Sequence, residues 1–221
     1  MNLKHPLILA SSSPRRQFLM KQMGFQFMLA RPGIDESFPP GMPVEKVAAF
    51  LAQKKASVFG EQLKAETVLT ADTVVILDDA ILNKPLDRDD AIDMLTVLSG
   101  RTHTVITAVC LMNKSKMDCF DDRTDVTFKT LPRADIEFYV DHYKPFDKAG
   151  AYGAQECLPA GVNPCSREEI DFLKQIAKMD LIDKSISREK AGIVAIEEIN
   201  GSYFNVMGLP VHKVYTHLTR F

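Results

Sequence analysis

The chain has 221 residues, 46% of them hydrophobic and 25% charged, the balance of an ordinary globular protein and not of a disordered or collagen-like one. Its 27 Lys and Arg against 29 Asp and Glu leave a formal charge of −2, too near neutral for an overall field that grips nucleic acid or an anionic membrane. Anion binding therefore has to be built locally, from a few cations placed together.

The length predicts one α/β domain. Four cysteines, at 110, 119, 157 and 165, form no C-x-x-C pair, and a chain of this size needs no disulfide framework for its core, so free thiols in a reducing cytosol are expected. The apolar run near the start, Pro6-Leu7-Ile8-Leu9-Ala10, is too short for a signal segment, and no run approaches the length that spans a bilayer. A cytoplasmic protein is the expectation.

Leu7-Ile8-Leu9-Ala10 predicts a strand buried on both faces, ended by Ser11-Ser12-Ser13-Pro14. Ser13 suits a helix N-cap and Pro14 the first helical position; Phe18, Leu19 and Met23 recur at roughly helical spacing before Gly24. A second helix is predicted over 43–59 from Val44, Val47, Ala48, Leu51, Lys55 and Val58. A β-branched strand over Thr67–Leu77 follows, interrupted at Ala71-Asp72-Thr73, and then a helix over 87–98 with acidic residues in its first turn. Val, Ile and Thr predict strands over 102–111 and 125–129. Ile136, Tyr139 and Val140 suggest a helix before a glycine-rich loop over 147–153, and Ser166 with Glu169 forms a capping box opening another helix.

Two local contradictions mark where chemistry could lie. A helix N-terminus carries partial positive charge, yet Ser13-Pro14-Arg15-Arg16 places two arginines there. A bound anion would relieve that repulsion, and the unsatisfied N–H groups at the same place make a phosphate cradle. The competing explanation is two arginines lying along the surface. The second contradiction is Asp72 within a strand of buried character, where an ionised carboxylate needs a metal, a cation or several hydrogen bonds. It would suit metal ligation or activation of water, or it ties down a turn through its own backbone amides. Lys84-Pro85 and the Asp147-Lys148-Ala149-Gly150 loop add cations that, with Arg15 and Arg16, form the dispersed set a polyphosphate site requires.

No P-loop, G-x-G-x-x-G, G-x-S-x-G or H-E-x-x-H motif occurs. His212 and His217 stand five apart, off a shared helical face, and read as surface or interface residues rather than zinc ligands.

Taken in order, Leu9-Ala10-Ser11-Ser12-Ser13-Pro14-Arg15-Arg16, Asp35-Glu36, Leu51-Ala52-Gln53-Lys54-Lys55-Ala56, Ala71-Asp72-Thr73-Val74-Val75, Lys84-Pro85, Leu98-Ser99-Gly100-Arg101-Thr102-His103, the 147–155 loop and Gly201-Ser202-Tyr203-Phe204-Asn205 through Pro210 resemble the Maf-like nucleoside triphosphate pyrophosphatases. The resemblance covers nearly the whole chain. It implies an α/β fold, an elongated mixed sheet flanked by helices around a central cleft, similar to inosine triphosphate pyrophosphatases. It implies hydrolysis of the α–β phosphoanhydride of a nucleoside triphosphate, with Mg²⁺ or Mn²⁺, by a homodimer. Thr73 and Gln155 look like the dTTP/UTP-preferring branch.

Carried over by position, the resemblance makes Asp72 the general base or a metal-bound carboxylate and Glu36 a second metal carboxylate. Ser11, Arg15, Arg16, Lys55 and Lys84 would hold phosphate oxygens, and Gln155 with Thr73 would address the base. Against the family pattern, residues 157–192 look like an insertion: a lid, a dimer element or a surface embellishment. Two alternatives accompany the leading reading: a pyrophosphatase that clears modified nucleotides, and a non-catalytic nucleotide-binding regulator of cell division.

Overall fold

The apolar run near the start forms strand β1 (Leu7–Ala10), with Leu7, Leu9 and Ala10 buried. In the computed structural model, which describes residues 3–159, 161–186 and 193–221, it is followed by α1 (Pro14–Gln22), β2 (Met28–Ala30), α2 (Val44–Ser57), β3 (Thr67–Leu77), β4 (Ala80–Leu82) and α3 (Arg88–Leu98). Next come β5 (Thr102–Met112), β6 (Met117–Phe128), α4 (Arg133–Tyr143), α5 (Arg167–Gln175), α6 (Asp180–Ser185), β7 (Ile196–Asn200), α7 (Tyr203–Val206) and α8 (Val211–Arg220). The strands make a mixed sheet, flanked by helices, in the order β2-β1-β3-β5-β6-β7 with β4 paired to β3. The chain divides into two compact units, Met1–Thr73 with Ile106–Asp122 and Gly208–Phe221, and Val74–Val105 with Arg123–Met207.

In the first unit β1 runs parallel to both β2 and β3, with Leu9 opposite Leu29 and Leu69. Leu9 and Leu69 are fully buried, each contributing roughly 2 kcal/mol of transfer free energy. Ser13 caps α1, accepting from the Arg16 N–H, and Pro14 takes the first helical position, as the sequence predicts. Asp72 does not interrupt β3. The strand runs through it without a break, because ladder hydrogen bonds use the backbone while the carboxylate is satisfied from the side.

Strand β6 is far longer than the 125–129 segment expected. Its first half carries Asp118, Asp121 and Asp122, which hide the β pattern, but the carboxylates of Asp118 and Asp122 have partners on α8. Asp118 pairs with His217 at 2.7 Å and Asp122 with Lys213 at 2.7 Å. His212 also corrects the sequence reading of a surface or interface residue, since it is buried on α8 within the chain itself.

The cysteines depart from expectation too. Cys110 and Cys119 are joined in a disulfide, with Cα atoms 4.2 Å apart. They face each other across the β5–β6 hairpin, closed where the Asn113 N–H donates to the Lys116 carbonyl, and only this pairing brings them together. Cys157 and Cys165 are free.

In the second unit α3 packs on α4, β4 pairs antiparallel with β3, and β7 with β6. The capping box of α5 forms as expected, and its Glu169 does more. Fully buried, it accepts from Ser202 Oγ at 2.6 Å and from the N–H groups of Ser166, Tyr203 and Phe204, each at 3.0 Å. One carboxylate thus closes the N-termini of α5 and α7, fastening the described part of the 157–192 segment to the Gly201–Asn205 motif. Residues 160 and 187–192 of that segment, including the basic end of its charged stretch, lie outside the described residues. Among the described residues no helix is long and apolar enough to cross a membrane.

Candidate active site

The parallel register sets the geometry of the first unit. Strand β1 stops at Ala10 while β3 continues past Leu69, so the turn into α1 meets residues 71 to 73 of β3 beyond the carboxyl end of β1, the usual place for a site in a parallel sheet. Arg16 makes the junction. Its Nη1 donates to the Ala71 carbonyl at 2.9 Å, Nη2 to Thr73 Oγ1 at 2.9 Å, and Nε to the Gly208 carbonyl at 2.8 Å.

Gly208 has φ +104°, a backbone that side-chain-bearing residues rarely adopt. The glycine is what lets its carbonyl turn to the guanidinium. Three of the five Arg16 N–H donors are thereby fixed within the protein. Burial pulls its pKa below the ordinary value against the pull of Asp72, and a guanidinium so placed stays charged. Thr73 Oγ1 also shares a hydrogen bond of 2.8 Å with Thr107 Oγ1.

Beside this clamp lies an acid–cation–acid triad. Lys55 Nζ, on α2, is 2.5 Å from Asp72 Oδ1 and 2.7 Å from Glu36 Oε1. Lys55 and Asp72 are 6% and 8% exposed, whereas the Glu36 side chain is half exposed. Thr70 Oγ1 donates to the Ala52 carbonyl at 2.7 Å, holding α2 against β3 one turn before Lys55. Burial raises the pKa of Asp72 above the ordinary aspartate value, and Glu36 adds to the rise, while Lys55 and Arg16 oppose it. A carboxylate that is desolvated and steered by cations suits proton abstraction from water.

Ser11 is buried, its Oγ accepting from the Ser13 N–H at 3.2 Å, and Arg15 follows on the same turn. The first unit thus gathers Ser11, Arg15, Arg16, Glu36, Lys55, Asp72 and Thr73.

Lys84 and Gln155 belong to the second unit. Lys84 is exposed just after β4, where the Asn83 carbonyl accepts from the Gly150 N–H at 3.2 Å. The same loop holds Lys148, 8% exposed, with Nζ 2.9 Å from Asp147 and 3.7 Å from Glu156. Gln155 lies against Glu156 at 3.3 Å.

Among the described residues no three His, Cys, Asp or Glu side chains converge as a metal set. The donors that do converge, the carboxylates of Asp72 and Glu36, are hard oxygens. Two such groups suit Mg²⁺, which keeps waters and shares substrate phosphate oxygens instead of requiring an all-protein cage.

Sequence reasoning missed the partners of these residues. The Gly208 carbonyl carries no side-chain signal, Thr107 is legible only as a polar residue within an apolar strand, and Glu156 follows Gln155 without forming any motif.

Comparison with known proteins places these features in context. The profile of the family described as Maf-like protein matches residues 6–169. The dTTP/UTP pyrophosphatase of Bacteroides fragilis is 39% identical over 217 residues, covering 97% of this chain and 95% of that protein. The dTTP/UTP pyrophosphatase of Flavobacterium psychrophilum is 40% identical over 213 residues, covering 96% and 92%, and that of Porphyromonas gingivalis is 38% identical over 222 residues, covering 99% and 95%. Among solved structures, a HAM1 protein from Coxiella burnetii superposes with a TM-score of 0.40 at 15% identity, over 58% of this chain and 75% of that one.

Proposed function

Since the chain belongs to the Maf-like protein family, we propose that it hydrolyses the α–β phosphoanhydride of dTTP and UTP, releasing the monophosphate and pyrophosphate. The observation that carries this reading is the buried Asp72 carboxylate held 2.5 Å from Lys55 beside the Arg16 clamp. A base of raised pKa thus sits among cations able to take up the charge of a polyphosphate. The names of the relatives support the substrate.

In this reading Asp72 accepts the proton of the attacking water. Ser11, Arg15 and Lys55 take phosphate oxygens, as do the two N–H groups of Arg16 that have no acceptor among the described residues. Cations aimed at the bridging and leaving oxygens stabilise the charge that develops there. Thr73 Oγ1 holds the Arg16 guanidinium beside Asp72, and Gln155 addresses the base. Asp72 and Glu36 would hold Mg²⁺ or Mn²⁺, Lys55 giving up its place between them. The ion would neutralise the triphosphate and polarise the bond to be cleaved. The working form is a cytoplasmic homodimer of a single Maf-like domain that carries the 157–192 segment.

The test is a nucleotide panel with Mg²⁺ and with Mn²⁺, reading pyrophosphate directly. UTP and dTTP should yield pyrophosphate and the monophosphate. Orthophosphate without pyrophosphate, or tight binding without turnover, refutes the reading.

A further inference from the structure

Gln155, Glu156, Tyr139 and Gly153 of the second unit form a hydrogen-bonded chain whose direction is fixed by proton counting. Tyr139, fully buried on α4, accepts from the Gly153 N–H at 3.0 Å and donates to Glu156 Oε2 at 2.5 Å. Burial raises its pKa well above the ordinary tyrosine value, so the phenol keeps its proton and directs it at Glu156. The other oxygen, Glu156 Oε1, accepts from Gln155 Nε2 at 3.3 Å, with Lys148 Nζ 3.7 Å away.

A carboxylate surrounded by donors has no proton to give. Gln155 therefore turns its NH₂ toward Glu156 and its carbonyl oxygen the other way. That oxygen, Oε1, is covered and has no hydrogen-bond partner among the described residues. A buried acceptor in this condition has lost its water without compensation until a donor reaches it. Gly153 makes the arrangement possible: a Cβ there would lie 2.9 Å from Gln155 Nε2 and 2.9 Å from Glu156 Oε2.

Resting on the pyrophosphatase reading above, we propose that Glu156, held by Tyr139, is a positioning residue that locks the Gln155 amide with its oxygen as acceptor, so that the protein takes the imide N3–H of uracil and thymine and rejects cytosine. Uracil and thymine carry a donor at N3 between two carbonyls. Cytosine carries a bare acceptor at N3, which meets the Gln155 oxygen lone pair to lone pair. A site that fixes an acceptor for a ring N–H discriminates strongly against the analogue lacking it, because the site's own polar group is then left unpaired. Were the Gln155 amide free to turn over, it would offer NH₂ to cytosine N3 as readily, and the discrimination would be lost.

The experiment compares kcat and KM for UTP, dTTP, CTP and dCTP in the full-length protein and in its Glu156→Gln and Tyr139→Phe variants, with a thermal melt on each. Glu156→Gln keeps the size but lets residue 156 both donate and accept. The UTP-to-CTP ratio of kcat/KM should fall at least tenfold, through a higher KM for UTP and a lower one for CTP, with a smaller change in the same direction for Tyr139→Phe. General structural damage would lower all four substrates together and leave the ratio intact. A preserved ratio in folded Glu156→Gln, or in Tyr139→Phe should Glu156→Gln fail to fold, overturns the proposal. A wild-type protein that turns over UTP and CTP alike overturns the proposal and the base preference but leaves phosphoanhydride hydrolysis standing. Absence of turnover with any nucleotide refutes the pyrophosphatase reading itself.

Discussion

Lys55 Nζ lies 2.5 Å from Asp72 Oδ1, two buried groups of opposite charge delivered by a helix and a strand seventeen residues apart in sequence. Neither would be stable at such depth alone, since an unpaired buried charge costs several kcal/mol. Together they leave a carboxylate whose protonation is balanced between burial, which favours the acid, and the neighbouring cations, which favour the anion.

That balance predicts the acid limb of the pH profile. Asp72 must be ionised to accept a proton, so kcat/KM should rise with pH through a value above the ordinary 3.8 of an aspartate. Asp72→Asn should cost about 10²–10⁴-fold in kcat, the range of a lost general base. Lys55→Met removes the largest influence lowering the Asp72 pKa, so its acid limb should move to higher pH in addition to any loss of rate. Rate profiles from pH 4 to 9 on the three proteins decide the matter, and a limb that stays put in Lys55→Met separates Asp72 from the titration.

His103 gives a pH dependence of stability. It is 2% exposed, its Nε2 is 2.8 Å from Tyr152 Oη, and Phe128 and Tyr152 meet it edge to face. Burial pulls its pKa from 6.5 to about 4, against the opposing pull of Asp125. With the folded value below the unfolded one, the unfolded chain binds the extra proton. The stabilisation is therefore whole above pH 6.5 and is lost as pH falls toward 4. Between pH 7 and pH 5 this single group should withdraw about 2 kcal/mol. Urea unfolding at both pH values should show that much less pH dependence in His103→Phe than in the wild type, and equal slopes would contradict it.

Glu169 joins the N-termini of α5 and α7 through four accepted hydrogen bonds. Glu169→Gln places an NH₂ among donors and should cost about 3 kcal/mol. The exposed neighbour Glu168→Gln, at the same end of the helix, should cost well under 1 kcal/mol. Denaturant titrations of the two variants give the comparison, and similar small losses in both would mean that the segment after residue 157 is not anchored through Glu169.

What was legible in the sequence was local. Ser13-Pro14 opens α1 and Ser166 with Glu169 opens α5, because capping depends on atoms within four residues. The limits of β3 follow from its β-branched run. The two local contradictions, paired arginines at a helix N-terminus and an aspartate in a buried strand, pointed to residues that do lie together in the first unit.

The tertiary structure alone decided their partners. Arg16 reaches the Gly208 carbonyl 192 residues away, a backbone acceptor that no residue type announces. Lys55 meets Asp72 and Glu36 because α2 packs on β3. Strand β6 is concealed by acids that become acceptable only once α8 brings Lys213 and His217 to them, and Cys110 finds Cys119 through hairpin register. Short-range propensity and capping are encoded within a few bonds. The pairing of buried charges is encoded in which surfaces exclude water together, and that is settled only when distant segments fold against one another.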